Sequence, residues 1–194
     1  MNRDELLSKV KEQMTDHRFT HTLGVASTAV ALAERYGADQ QKAELAGFLH
    51  DFCKYWDKSR MKEWIEQSDR IPDDLLRYDK ELWHAPVAAL VVERDLHIED
   101  AEVLNAIRFH TSGRPGMSLL ERILWLADYI EPGRHFPGVE EVRELANQDL
   151  NRALVKALGN TITFLVKQQK RIYPLTIDTY NDLVQELDRQ ERSS

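Results

Sequence analysis

His50 and Asp51 stand side by side at the end of the apolar run LAGFLHDFCK, residues 45–54. Alanine, leucine and phenylalanine place this run in a helix in the protein interior, and two strong metal ligands then appear consecutively at its end. Neighbouring helical residues point about 100° apart, so both side chains reach one ion only if the helix end faces it. Taken alone, a His–Asp pair is more often a buried, hydrogen-bonded couple than a metal site. The rest of the chain must therefore change those odds.

It does so through four further ionisable residues on apolar helical faces: His21, His84, His110 and Asp128. One buried histidine has an ordinary structural explanation. Four in one small core, together with two carboxylates, carry a large desolvation cost unless something binds them. Imidazole nitrogens mixed with carboxylates suit Fe, Mn, Co, Ni or Zn; Cys53 adjoins the cluster but stands alone, so no thiolate set forms. Six ligands exceed what one catalytic ion with open positions takes from protein. Two ions bridged by a carboxylate fit the number better, with Asp51 as the bridge.

The elements that must position these residues all read as helices. Leu6, Leu7, Val10 and Met14 repeat at helical spacing over residues 3–14, and an apolar stripe from Phe19 to Leu32 runs beside His21 until Gly37 stops it. Residues 39–52 form the central apolar helix, followed by a surface helix over 56–67 capped by Asp57 and a helix or turn over 73–79. Residues 82–96 carry His84 in their first turn beside Pro86, and residues 99–110 end on His110. Ser118 caps an apolar helix that holds Asp128 and ends at Pro132–Gly133; helices over 138–147, 150–169 (capped by Asp149) and 177–190 complete the chain. No strand-type alternation competes, so the fold class is all-α. We expect a single helical domain over 1–194, with a catalytic core at about 17–135 and C-terminal helices at about 138–190.

Composition narrows the function. The 194 residues carry 26 Lys and Arg against 33 Asp and Glu, a formal charge of −7, which argues against a nucleic-acid binder that needs a basic face. A small anionic substrate remains compatible if cations concentrate locally. One cysteine excludes an internal disulfide, and the charged N-terminal stretch is neither a signal peptide nor a membrane span. We expect a cytoplasmic protein with no membrane partner and leave a homodimer open.

The order His, His-Asp, His, His, Asp stands in the contexts RFTH (ending at His21), FLHDFCK (around His50), LWHAPV (His84), IRFHTSGRPG (His110) and LADYIEPGR (Asp128). In this order and these contexts the chain resembles the HD-domain phosphohydrolases, and within them the symmetrical diadenosine tetraphosphate hydrolases, from about residue 17 to residue 180. The resemblance implies an HD-domain helical bundle with a C-terminal helical extension. It makes His21, His50, Asp51 and Asp128 the core metal ligands, and leaves His84 and His110 either to complete a second metal position or to contact substrate phosphates. It implies a divalent transition metal, iron first, with manganese or cobalt as alternatives. The activity implied is cleavage of diadenosine tetraphosphate to two ADP, a metal-activated water attacking an inner phosphorus.

The phosphates need cations and donors. Lys54, one turn beyond His50–Asp51, is the leading contact and joins Asp51 as a catalytic residue. Arg114 in the Gly-Arg-Pro-Gly loop, Arg134 after the Pro-Gly break, and Arg18, three residues before His21, are further contacts. Thr111, with Ser112 and Gly113, offers hydroxyl and backbone donors beside His110, and Tyr173 and Thr176 match the nucleotide-side segment more loosely. Tyr129 is a second stacking residue for a base. Trp56, Trp64, Trp83 and Trp125 read as core, and His17, His97 and His135 as surface residues. Two other readings share much of this pattern. One is an HD phosphohydrolase for another nucleotide; the cyclic-dinucleotide variety is disfavoured because no Gly-Tyr-Pro follows an HD pair. The other is a nucleotide-sensing module that keeps its metal without turnover, yet such modules lose a ligand or the lysine after the HD pair, and both are present here.

Overall fold

The structure, a computed structural model, describes residues 2–193. Ten α-helices follow one another among these residues: α1 (Arg3–Glu12), α2 (Asp16–Tyr36), α3 (Gln40–Leu49), α4 (Lys58–Glu66), α5 (His84–Leu96), α6 (Ala101–Phe109), α7 (Leu119–Ile130), α8 (Val139–Ala146), α9 (Leu150–Lys167) and α10 (Pro174–Ser193). Two short 3₁₀ turns, Asp73–Arg77 and Lys80–Leu82, link α4 to α5. No strand occurs among the described residues. No helix among the described residues is long and apolar enough to cross a membrane.

Local chemistry explains most of the boundaries. Asn2 with Glu5, and Ser118 with Glu121, close reciprocal capping boxes, and the side chains of Thr15, Asp39, Asp100 and Asp149 each accept first-turn backbone N–H groups. Gly37 ends α2 at a φ of +78°, the left-handed conformation glycine adopts without strain. Three boundaries differ from the sequence expectation. The central helix stops at Leu49 instead of running to 52, because residues 49–56 tighten into turns in which Phe52 N–H donates to Leu49 O and Lys54 N–H to Asp51 O. Asp57 occupies the cap position of α4, but its side chain makes no capping bond. The last helix starts at Pro174, whose missing N–H costs nothing in a first turn.

α2 and α3 pack against each other most extensively, α7 lies against both, and α5 and α6 close the other side. α8, α9 and α10 build on the outer side of α7. One hydrophobic cluster runs through all of this from Leu6 to Leu183, with Trp56, Trp83 and Trp125 buried in it and Trp64 at its edge under the Arg94 guanidinium. The α2–α3 contact depends on Gly47, where a Cβ would lie 2.5 Å from the Ala26 Cα. That close approach brings the His50 ring to 5.6 Å from the His21 ring, centroid to centroid.

Candidate metal centre

Each histidine of the cluster sits where a helix end can aim it. His21 projects from α2, His50 and His110 are the C-cap residues of α3 and α6, and His84 opens α5. The last carbonyls of a helix lack intrahelical donors. His50 Nδ1 bonds the Gly47 carbonyl and His110 Nδ1 bonds the Ile107 carbonyl, both at 2.7 Å. A carbonyl only accepts, so Nδ1 carries the proton in each ring and Nε2 presents its lone pair to the centre. His21 is oriented in the same way by a carboxylate, with its Nδ1 2.9 Å from Glu131 Oε1.

Asp51 stands in the middle, and its two oxygens face different partners. Oδ2 lies 3.7 Å from His21 Nε2 and 3.2 Å from His50 Nε2. Oδ1 lies 3.0 Å from His84 Nε2 and 3.9 Å from His110 Nε2, and those two nitrogens are 3.1 Å apart. Asp128 Oδ1 completes the first group at 3.1 Å from His21 Nε2 and 4.0 Å from His50 Nε2. Three overlapping sets, His21–His50–Asp51, His50–His110–Asp128 and Asp51–His84–His110, each converge closely enough to hold an ion.

Electrostatics favours the ligand forms of the two carboxyls, His84 and His110. Burial raises the pKa of both carboxyls, yet His50 holds Asp51, and His21 with Arg134 holds Asp128, well below the usual carboxylate range. Burial, reinforced by His50 and His84, lowers His110 to about 3, so its ring is neutral. The Nε2 atoms of His21 and His50 are buried without a hydrogen-bond partner. Unpartnered, converging nitrogen lone pairs beside ionised carboxylates are the donor set of a divalent transition metal, so these residues fit such an ion.

The expected substrate contacts fall into two groups. Arg18, Arg134 and Lys54 ring the centre: Arg18 Nη1 is 3.1 Å from Asp51 Oδ2, Arg134 Nη2 is 2.6 Å from Asp128 Oδ1, and Lys54 Nζ is 2.7 Å from Glu81. Arg114, Thr111, Tyr173 and Thr176 stand further out. Arg114 makes a bidentate pair with the buried Glu121 and covers the Phe109 ring, which ties its loop to α7. Thr111 and Tyr173 line a neighbouring cavity, and Thr176 is buried in the first turn of α10. Tyr129 stacks on Trp125 on the side of α7 that faces α9. His17, His97 and His135 are exposed.

Two site residues escaped the sequence reading. Glu131 is buried, accepts from His21 and from Gly133 N–H at 2.6 Å, and fits because Gly24 lacks a Cβ, which would come within 2.7 Å of its Oε2. Arg143 from α8 braces the same turn by donating to the carbonyls of Ile130, Glu131 and Arg134. The available signal was an acid one helical turn after Asp128, at the end of an apolar helix. Tyr55 is the other: half exposed at the rim, its hydroxyl meets Thr15 and Arg18, and these contacts draw its pKa below the usual phenol range.

Comparison with known proteins gives the cluster its relatives. The HD domain family model matches residues 18–133, from Arg18 through Gly133. A protein of Bacillus subtilis named bis(5'-nucleosyl)-tetraphosphatase, symmetrical, is 53% identical over 184 residues, covering 95% of this chain and 98% of its own. A protein of the same name from Halalkalibacterium halodurans is 55% identical over 186 residues, covering 96% of this chain and 99% of its own. A crystal structure from Clostridium acetobutylicum, described as an HD superfamily hydrolase involved in NAD metabolism, superposes with a TM-score of 0.91 at 38% identity over 96% of this chain and 98% of its own. The chain belongs to the HD domain family and groups, along nearly its whole length, with the proteins named symmetrical bis(5'-nucleosyl)-tetraphosphatases.

Proposed function

We propose that this protein hydrolyses dinucleoside tetraphosphates symmetrically, converting diadenosine tetraphosphate and water into two ADP. The observation that carries the reading is the division of Asp51 between two sets of nitrogen ligands, which would let its two oxygens serve two ions. In this reading His21, His50, Asp51 and Asp128 would hold the first ion, and His84 and His110 with Asp51 would hold the second. Iron is our first assignment, with manganese or cobalt as alternatives that the same nitrogen and oxygen donors accept. Such ions lower the pKa of water and neutralise charge on phosphoryl oxygens.

The chain's own residues supply the rest. Arg18 and Arg134, already against Asp51 and Asp128, present guanidinium groups to phosphoryl oxygens at the rim. Among the described residues Lys54 is paired only with the exposed Glu81 and so is available to exchange that partner for a phosphate. Burial of the histidines keeps bulk water from the reacting centre, so each contact acts in a low dielectric. Arg114 has a buried partner of its own and is a loop anchor in this reading. The substrate is a small nucleotide, consistent with a formal charge of −7 that offers nucleic acid no basic face. We place the reaction in the cytoplasm.

Product analysis tests this directly. Protein prepared anaerobically and loaded with ferrous iron or manganese is incubated with diadenosine tetraphosphate beside an Asp51→Ala variant. ADP as sole product, lost in the variant, is the expected result. AMP with ATP would overturn the symmetrical register, and no turnover by metal-loaded protein would overturn the assignment. NAD offered in the same assay tests the description carried by the Clostridium relative.

A further inference from the structure

Two residues before His110, and so on roughly the opposite side of α6, Arg108 points into a cavity of about 200 Å³. The cavity lies between the 71–75 segment, the start of α5, the end of α6 and the start of α10. Its walls are mostly apolar, from Ile71, Leu75, Leu82, Phe109 and Leu175, with the Thr111 hydroxyl and the Tyr173 ring at the edge. Arg70 also lines it, but its guanidinium is 2.6 Å from Glu93.

Arg108 has no such partner. Among the described residues it makes neither an ion pair nor a hydrogen bond, and its Nε is buried and unpartnered. The other arginine lining the cavity, Arg70, is tied to Glu93, and Arg114 on the loop beyond His110 is tied to Glu121. A half-buried guanidinium without an acceptor destabilises the fold that holds it, and burial together with the Arg70 charge lowers its pKa. Residues kept at such a cost are expected where a ligand supplies the missing partner.

The cavity's size and position indicate the ligand. It is smaller than the roughly 300–1,000 Å³ of pockets that enclose whole drug-sized ligands, so it takes one ring system. Thr111 follows His110 directly, with Cα atoms about 3.8 Å apart, and Leu82 precedes His84 by two residues, so the cavity abuts the cluster. In a dinucleoside tetraphosphate the base on the attacked side is joined through its ribose to the phosphorus next to the one attacked. We propose that this cavity receives one nucleobase of the substrate, its faces against Leu82, Phe109 and Tyr173, with Arg108 donating to acceptor nitrogens on its edge. The proposal rests on the function assigned above and adds Arg108 as a specificity-determining residue.

The test compares metal-loaded wild type with Arg108→Gln and Arg108→Lys, using diadenosine tetraphosphate kinetics and thermal melts. Arg108→Gln is expected to raise KM about tenfold or more with little change in kcat, Arg108→Lys to recover part of the loss, and the ligand-free Tm to stay level or rise by about 2–4 °C. A lower Tm with an unchanged KM would make Arg108 a structural residue and overturn the proposal. Adenosine binding separates this result from failure of the functional reading. It is followed by intrinsic tryptophan fluorescence, to which Trp83 contributes beside the cavity, its indole N–H donating to the carbonyl of the cavity residue Leu75. Adenosine binding that weakens in Arg108→Gln supports the pocket even if no ADP forms, and wild type that neither binds adenosine nor shows an Arg108-dependent KM refutes it.

Discussion

Asp51 gives one oxygen to His21 and His50 and the other to His84 and His110, and this division makes the metal count a property of single residues. Metal analysis of purified protein is expected to give two ions per chain. His84→Ala or His110→Ala should reduce that to one, and Asp51→Asn should leave neither held tightly; two ions retained in His84→Ala would break the assignment. Glu131 acts one step further out. A carboxylate that receives a ligand histidine's N–H fixes its tautomer and raises its basicity, and losing such a partner typically weakens metal binding 10–100-fold. Glu131→Gln should show a loss of that size in competition with a chelator while keeping the wild-type circular dichroism. The sequence exposed the six candidate ligands because histidines and aspartates on apolar faces are costly without a reason. It could not single out Glu131, since an acid before Pro-Gly looks like any helix ending until the fold brings His21 against it across 110 residues.

Helix ends are the working parts at the scale of elements. His50 and His110 ride on the last turns of α3 and α6 and use the orphan carbonyls there to set their rings, so ending a helix and orienting a ligand are one event. α3 reaches its place only because Gly47 lets it approach the α2 backbone, where no flexible side chain is available to yield. Gly47→Ala is therefore expected to destabilise the protein by about 1–3 kcal/mol, the usual range for overpacking a tight core, and to weaken metal binding because His50 moves with α3. A melt within 1–2 °C of wild type, about half a kcal/mol for a chain of this length, would show the contact to be softer than the geometry implies. Helical periodicity and caps such as Ser118 and Asp149 were legible in the sequence. The end of α3 at Leu49 was not, because the apolar pattern continues through Phe52 and Cys53 while the backbone leaves the helix for tight turns closed by its own N–H and carbonyl groups.

For the whole molecule the metal belongs to the stability of the fold. Four buried histidines, the buried Asp51 and the half-buried Asp128 meet where α2, α3, α5, α6 and α7 converge. A ligand that binds only the native state stabilises it by about 2.7 kcal/mol at a hundred times its dissociation constant, worth roughly 5–10 °C in Tm for a chain of this length. Chelator treatment should lower the Tm by about that amount, and metal should restore it. Asp51→Asn should melt at one temperature with or without metal; equal melting of metal-loaded and chelated wild type would show that the ions contribute nothing to the fold.

The sequence by itself determined the all-α class, the ligand types and the motifs of an HD site, because periodicity, caps and costly buried ionisable groups are local properties of the chain. Only the tertiary structure decided how those groups are shared: which Asp51 oxygen faces which histidines, that Arg114 is tied to Glu121, and that Arg108 is left without a partner. Pairing depends on distances between residues far apart in the chain, and spacing along the chain does not encode those distances.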